Sequence, residues 1–377
     1  MSLAAYDVAI VGAGIVGAAC ADEFARRGMS VAVVDRDQIG SGATSAGMGH
    51  VVTMDDSEAQ FALTRYSQQL WQKLRDALPA DVEYEQCGTI WVAADEEEMA
   101  EVRRKHDYYG DRGVATEVLD AQALQRLEPN LRAGLVGGLL VQQDLVINPP
   151  CAARFLIERA QKRGATVHLG HSVALAGQGR VRMADSFEIT AKIVVNAAGA
   201  YAGELTPGVE IKKRKGHLVI TDRYPEFLRH QLVELGYLKS AHSISSDSVA
   251  FNVQPRRTGQ ILIGSSRQYG AEHREVDNEI LARMLQRAHE YMPGLAQMST
   301  LLARTGFRAA TTDKLPLIGP WPGDESLFLA TGHEGLGITT SLATARILVD
   351  QITGTIPEIA IEPYLPSRAA KEPAHAD

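Results

Sequence analysis

Two apolar runs with no polar alternate, Val8 to Val11 and Val31 to Val34, read as strands buried on both faces. Between them Ala18 to Arg27 reads as a helix that stops at Gly28, giving a parallel βαβ unit. Similar signatures recur far along the chain. "AARFLIERAQKRG" (152–164) reads as a helix ahead of a strand around Val167, followed by the apolar strand "AKIVVNAAG" (191–199). "LFLAT" (327–331) reads as a strand, with a helix opening near Ile338, and "SEAQFALTRYSQQLWQKLRDAL" (57–78) as another helix. The intervening stretches alternate apolar and polar residues, as in "QILIGSS" (260–266), and predict antiparallel strands. The expectation is an α/β fold with a discontinuous Rossmann-like domain from 1–80, 145–210 and 306–366. A second domain, with a mostly antiparallel sheet, takes 81–144 and 211–305, and 367–377 reads as a disordered tail.

Composition narrows the class. The 377 residues are 45% hydrophobic and 22% charged, as in ordinary globular proteins. The net charge of -8 argues against a nucleic-acid or anionic-membrane surface. The one basic run, "KKRK" from Lys212 to Lys215, reads as a solvated strand edge or loop. Cys20, Cys87 and Cys151 are far apart and form no CxxC pair, so neither a metal site nor a disulfide framework is expected. The start lacks a basic signal-peptide region, and the apolar run Val8 to Ala21 is too short to span a bilayer. A cytoplasmic protein is expected, reaching the inner membrane only through a partner.

The chemistry begins in "VGAGIVGA" (11–18). Gly12, Gly14 and Gly17 have the spacing that makes a tight turn, admits a pyrophosphate and packs a helix on a strand. Ile15 and Val16, between the glycines, are candidate cofactor contacts, and the following helix has N-terminal N–H groups that favour an anion. Asp35, at the tip of the second strand, suits a ribose diol and disfavours a 2′-phosphate, with Arg36 beside it. An NAD-binding unit would run on into another helix and strand. Here small and hydroxyl residues follow instead, among them Ala43, Thr44, Ser45, Gly47 and Met48, and let backbone lie along a long flat ligand. A second glycine turn, "TGHEGLGITT" (331–340), opens the last helix. One dinucleotide has two ends, and a helix N-terminus at the far end stabilises charge developing there. FAD fits this pairing better than NAD.

At this point the chain resembles the D-amino-acid oxidase superfamily of FAD-dependent amine oxidoreductases. The resemblance runs through "YEQCGTIWVA" (84–93), "INPPCAARFLIERAQKRGATVHLG" (147–170), "KIVVNAAGAYAGEL" (192–205), "VQPRRTGQILIGSS" (253–266) and "TGFRAATTDKLPLIG" (305–319). "GMGHVVTMDD" (47–56) and "GHEGLGITTS" (332–341) look closest to hydroxyproline and D-proline dehydrogenases and to the glycine-dehydrogenating subunit of hydrogen cyanide synthase.

The resemblance implies backbone contacts to the flavin from His333, Glu334, Gly335, Leu336, Gly337, Ile338 and Thr339. It implies adenine contact at Val173 and cofactor contact at Ala198 and Gly199. Arg308 matches the arginine that clamps a substrate carboxylate, a task suited to its planar fork. Gly335 stands where glycine oxidase-like enzymes carry a second arginine. His50 is a candidate for catalysis or substrate contact, and His217 a weaker one. Gly306 replaces the cysteine that tethers flavin in sarcosine oxidases, so non-covalent FAD is expected. Leu262 matches their oxygen-activating lysine, which predicts a quinone, dye or partner redox subunit as electron acceptor unless a protonated His50 supplies the charge. The expected activity is dehydrogenation of a small amino or imino acid, D-proline or hydroxyproline preferred. A peroxide-forming glycine or sarcosine oxidase and a flavoprotein subunit of a multi-subunit dehydrogenase are the alternatives.

Overall fold

The computed structural model describes residues 5–236 and 247–369. The chain opens with β1 (Ala5–Val11), α1 (Ile15–Arg26) and β2 (Val31–Asp35). Val8, Ile10, Val31 and Val33 point into the core that contains α1, while Ala9, Val11, Ala32 and Val34 fill another core on the opposite face. Alternate residues therefore serve different cores, which is why no polar position interrupts either run. The helix begins at Ile15 rather than Ala18, because Gly14 takes an extended N-cap conformation and the Ile15 N–H donates to Thr44 Oγ1 at 3.0 Å.

Next come β3 (His50–Val51), α2 (Glu58–Leu74), β4 (Thr89–Ala93), β5 (Thr116–Asp120), β6 (Gly137–Val141) and β7 (Leu145–Val146). After the helix Pro149–Lys162, β8 (Thr166–Leu169), β9 (Val173–Gly177), β10 (Arg180–Met183) and β11 (Glu188–Asn196) return to the first sheet. Then β12 (Lys212–Arg223), β13 (Gln231–Glu234), β14 (Ser248–Pro255), β15 (Gln260–Arg267) and β16 (Thr300–Ala310) extend the second. Finally β17 (Leu317–Trp321), β18 (Asp324–Thr331) and β19 (His333–Glu334) lead into the helix Gly337–Thr353.

The first sheet runs β17-β18-β11-β1-β2-β8, parallel from β18 to β8, with β9 and β10 attached to β11. The second runs β19-β16-β12-β15-β14-β13-β4-β6-β5 and is antiparallel except where β13 meets β4. Residues 306–310 and 333–334 are thus strands of the second sheet, and β18 and β19 are separated by Gly332 alone. α1 packs between the helices Pro149–Lys162 and Gly337–Thr353. No helix of the described residues is long and apolar enough to cross a membrane.

Two expectations are corrected here. The run Lys212 to Lys215 is neither a solvated edge nor a loop, because β12 lies between β16 and β15 and buries Arg214 and Lys215. Arg214 is neutralised by Glu334, and Lys213 by Glu204 and Glu272. The tail holds longer than expected, since Pro366–Ala369 forms a turn in which Arg368 pairs with Asp313 and donates to the carbonyls of Leu315 and Pro316. Residues 370–377 lie outside the described residues.

Candidate active site

A cavity of about 410 Å³ follows the carboxyl ends of β1, β11 and β18, where open parallel sheets ordinarily bind ligands. Each strand is followed within three residues by a glycine with positive φ: Gly12 (111°), Gly199 (57°) and Gly332 (79°). A Cβ at Gly12 would sit 2.5 Å from the Ala197 carbonyl oxygen, and one at Gly17 1.9 Å from the Gly12 carbonyl oxygen. These two glycines let β1, β11 and α1 close around the turn, as the motif demands. Asp35 lines the cavity and accepts hydrogen bonds from the N–H groups of Ala13 (2.6 Å) and Asp37 (2.8 Å). Burial raises its carboxyl above the ordinary range, and these N–H groups oppose the rise. Beside it the Arg36 guanidinium lies 4.1 Å over the Tyr201 ring.

The small-residue stretch 41–50 forms one wall. Gly47 packs against Ile338 at the start of the last helix, and Thr339 Oγ1 donates to the His50 carbonyl (2.9 Å) and accepts from the Val52 N–H (3.3 Å). His50 lines the cavity with its Nε2 buried and without a hydrogen-bond partner. Burial lowers its pKa to about 3, so the imidazole is neutral throughout the physiological range. The idea of a protonated His50 as a fixed charge is therefore set aside.

Arg308 approaches the same cavity from β16. Its guanidinium lies flat on Gly216, where a Cβ would come within 2.6–2.9 Å of Nη1, Cζ and Nη2, and Nη1 donates to the Ser266 carbonyl at 2.8 Å. Gly335 faces its stem, a Cβ there meeting Arg308 Cδ and Nε at 3.8 Å. His217 also lines the cavity, but its Nδ1 bonds to Ser266 Oγ and its Nε2 accepts the Asp277 N–H. Both ring nitrogens are used, which makes it a structural residue. Burial first, and the nearby Lys215 charge second, bring its pKa to about 4. His333 turns its Nε2 to Thr344 at 2.9 Å, and burial lowers it to about 3.

Of the residues expected at the site, Gly12, Gly14, Ile15, Val16, Asp35, Arg36, Ala43, Thr44, Ser45, Gly47 and Met48 line the cavity along its length. So do His50, Val173, Ala198, Gly199, Arg308, His333, Glu334, Gly335, Gly337 and Ile338. Three lie behind the wall. Gly17 is a packing position, Thr339 a tie between elements, and Leu336 joins the apolar cluster of Val52, Met54 and Trp91. Leu262 does not line the cavity; of β15 only Ser265 does. Leu262 therefore has no bearing on how a flavin in the cavity meets an electron acceptor. Sequence reasoning missed Asn252 and Ser265, cavity residues whose Oδ1 and Oγ are buried without partners. A polar residue inside the apolar run "VAFNV" was the available signal for Asn252.

A model of the DAO family, described as FAD dependent oxidoreductase, matches residues 7–351. The chain belongs to this family. It is 30% identical to glycine oxidase of Pseudomonas aeruginosa over 96% of its length and 98% of the relative's. Hydrogen cyanide synthase subunit HcnC of the same organism is 28% identical, over 98% and 97%. The solved glycine oxidase of Geobacillus kaustophilus matches with a TM-score of 0.87 at 26% identity, covering 96% and 98%. L-proline dehydrogenase from P. horikoshii shares the fold, with a TM-score of 0.85 at 22% identity, covering 97% and 98%.

As a member of the DAO family the protein is an FAD-dependent oxidoreductase, and its residues fit that cofactor. The glycine turn after β1 and Asp35 suit the ADP half. The opening of the last helix and the partnerless polar atoms of His50, Asn252 and Ser265 suit a polar ring edge.

Proposed function

We propose that the chain oxidises a small amino or imino acid at its α carbon, with a cyclic one of the D-proline or hydroxyproline kind preferred. The observation that carries the reading is Arg308, whose guanidinium is held flat against Gly216 in the cavity that the flavin-binding turns also line. A fork so held takes a carboxylate bidentately and fixes the α carbon above one place on the cofactor. Bound FAD would supply the two-electron acceptor for the α C–H bond. The residues supply position: Arg308 for the carboxylate, and the neutral His50 as a hydrogen-bonding wall. Gly335 supports the cyclic preference, because its missing side chain leaves space beside Arg308. On this reading the segments building the first sheet serve the cofactor and those building the second serve the substrate.

The acceptor is read as a quinone, a dye or a partner redox subunit. Among the described residues no lysine lines the cavity and burial keeps His50 neutral, so neither supplies a charge favouring superoxide formation, and Arg308 is engaged by the substrate carboxylate. The relative named as a hydrogen cyanide synthase subunit supports a place in a multi-subunit dehydrogenase. A second reading, a glycine oxidase, is favoured by the relatives bearing that name.

Anaerobic flavin bleaching against D-, L-, N-methyl and cyclic amino acids tests both. Cyclic acids bleaching fastest, with turnover much faster on dye than on air, is the expected result. Bleaching by glycine and sarcosine alone, with stoichiometric peroxide in air, would establish the second reading. Bleaching by none would remove both.

A further inference from the structure

Glu334 is the acidic residue that shares the cavity end with the clamp. It lines the cavity in β19, one residue before Gly335. Its φ of 48° is left-handed, a conformation that strains a non-glycine residue and persists where its surroundings hold it. Arg214 holds it. The carboxylate is ion-paired with Arg214 Nη1 and lies 3.9 Å from Arg267 Nε. Arg214 stands directly opposite Arg308 in the β12–β16 register, so two like charges face each other across the ladder and an anion beside them relieves the repulsion. A glutamate needed only as that counter-ion could be sealed away from the cavity. This one keeps 16% of its side chain exposed, and a carboxylate has about four lone-pair sites, more than its arginine partners fill.

One end of the cavity therefore presents a guanidinium and a carboxylate side by side. Arg308 is steadied by Gly216 and the Ser266 carbonyl, Glu334 by Arg214. An α-amino acid carries the complementary pair on adjacent atoms. We propose that Glu334 accepts hydrogen bonds from the substrate's amino or imino nitrogen, so that Arg308 and Glu334 form a two-point receptor for the zwitterion. The proposal rests on the amino-acid reading above and deepens it. Replacing a second clamp arginine by Gly335 then has a purpose, since a cation there would compete for Glu334.

The test uses the FAD-loaded enzyme and two probes of one shape, D-proline and tetrahydro-2-furoate, whose ring oxygen replaces the nitrogen. In Glu334→Gln the KM for D-proline should rise roughly ten- to a hundredfold, the worth of a charge-assisted hydrogen bond. Inhibition by tetrahydro-2-furoate, which has no N–H to offer, should change less than threefold. Glu334→Asp, which keeps the charge, should recover part of the loss, and flavin content read from the absorbance spectrum shows that each variant is folded. Equal weakening of both probes would make Glu334 a scaffold for Arg308 and overturn the proposal, as would an unchanged KM. A wild-type flavin that no amino acid bleaches would instead sink the functional reading, and this proposal with it.

Discussion

Gly216 is the residue on which the clamp depends, though it touches no ligand in the proposed arrangement. In Gly216→Ala the new methyl would collide with the far end of a flexible arginine rather than with backbone, so the fold should tolerate it by moving Arg308. The expected result is a KM raised at least tenfold, with FAD affinity and Tm within a few degrees of wild type. Equal losses of FAD and substrate would contradict it. The histidines give a second residue-scale prediction. His50 and His333, lowered to about 3, and His217, lowered to about 4, stay neutral in the native state, whereas in the unfolded chain they take up protons near pH 6.5. Each therefore removes stability as pH falls below 6.5, by at most about 1.4 kcal/mol per pH unit. Asp144 acts oppositely: burial pushes its carboxyl up to about 7, so it removes stability as pH rises from about 4 to 7. Burial also raises the carboxyls of Asp22, Asp35 and Asp350, which act in Asp144's direction, but the three strongly lowered histidines set the sign, and Tm measured by calorimetry should climb between pH 4.5 and 6.5. A flat or falling Tm there would mean that these histidines are protonated in the folded protein.

Among elements, the last helix and the short strand β3 are joined through Thr339, whose hydroxyl serves both the His50 carbonyl and the Val52 N–H. Thr339→Val keeps the shape and leaves both backbone groups unsatisfied, at a cost of about 1–3 kcal/mol. Denaturant unfolding should show that loss, and FAD titration should show weaker binding, because the tie holds the wall that carries His50. The parallel strands, the glycine turn and the final helix were legible from the chain because local pattern alone sets them: uninterrupted valines, G-x-G-x-x-G spacing, a cap. What was not legible came from register. Nothing local in "KKRK" tells that β12 lies between two other strands, or that Arg214 stands opposite Arg308 on the neighbouring strand; nothing in "GQILIGSS" tells that Ser265 rather than Leu262 reaches the cavity. Glu334 read as a loop residue because its partner lies 120 positions away.

For the whole molecule, the mode of cofactor retention follows from the cavity wall. Cys20, Cys87 and Cys151 are free and none lines the cavity, and a side chain at Gly306 would meet Ala46 Cβ at 2.6 Å. FAD should be released into the supernatant by acid precipitation, and yellow colour remaining in the pellet would refute non-covalent binding. Because the cavity wall draws on both sheets, added FAD should also raise the apoprotein's Tm in proportion to the logarithm of its concentration above Kd.

The single glycine between β18 and β19 has a thermodynamic corollary. Residues 324–331 belong to one sheet and 333–334 to the other, so whatever fixes Gly332 from one side also fixes Glu334 and Gly335 from the other. Two ligands gripping opposite flanks of one hinge share the entropy of ordering it, and the gain must be reciprocal. A carboxylate ligand at Arg308 should tighten FAD by the same factor by which FAD tightens the carboxylate, measurable by titrating each in the presence of the other. With Gly332 replaced by a residue pair, Gly-Gly, that factor should fall toward one.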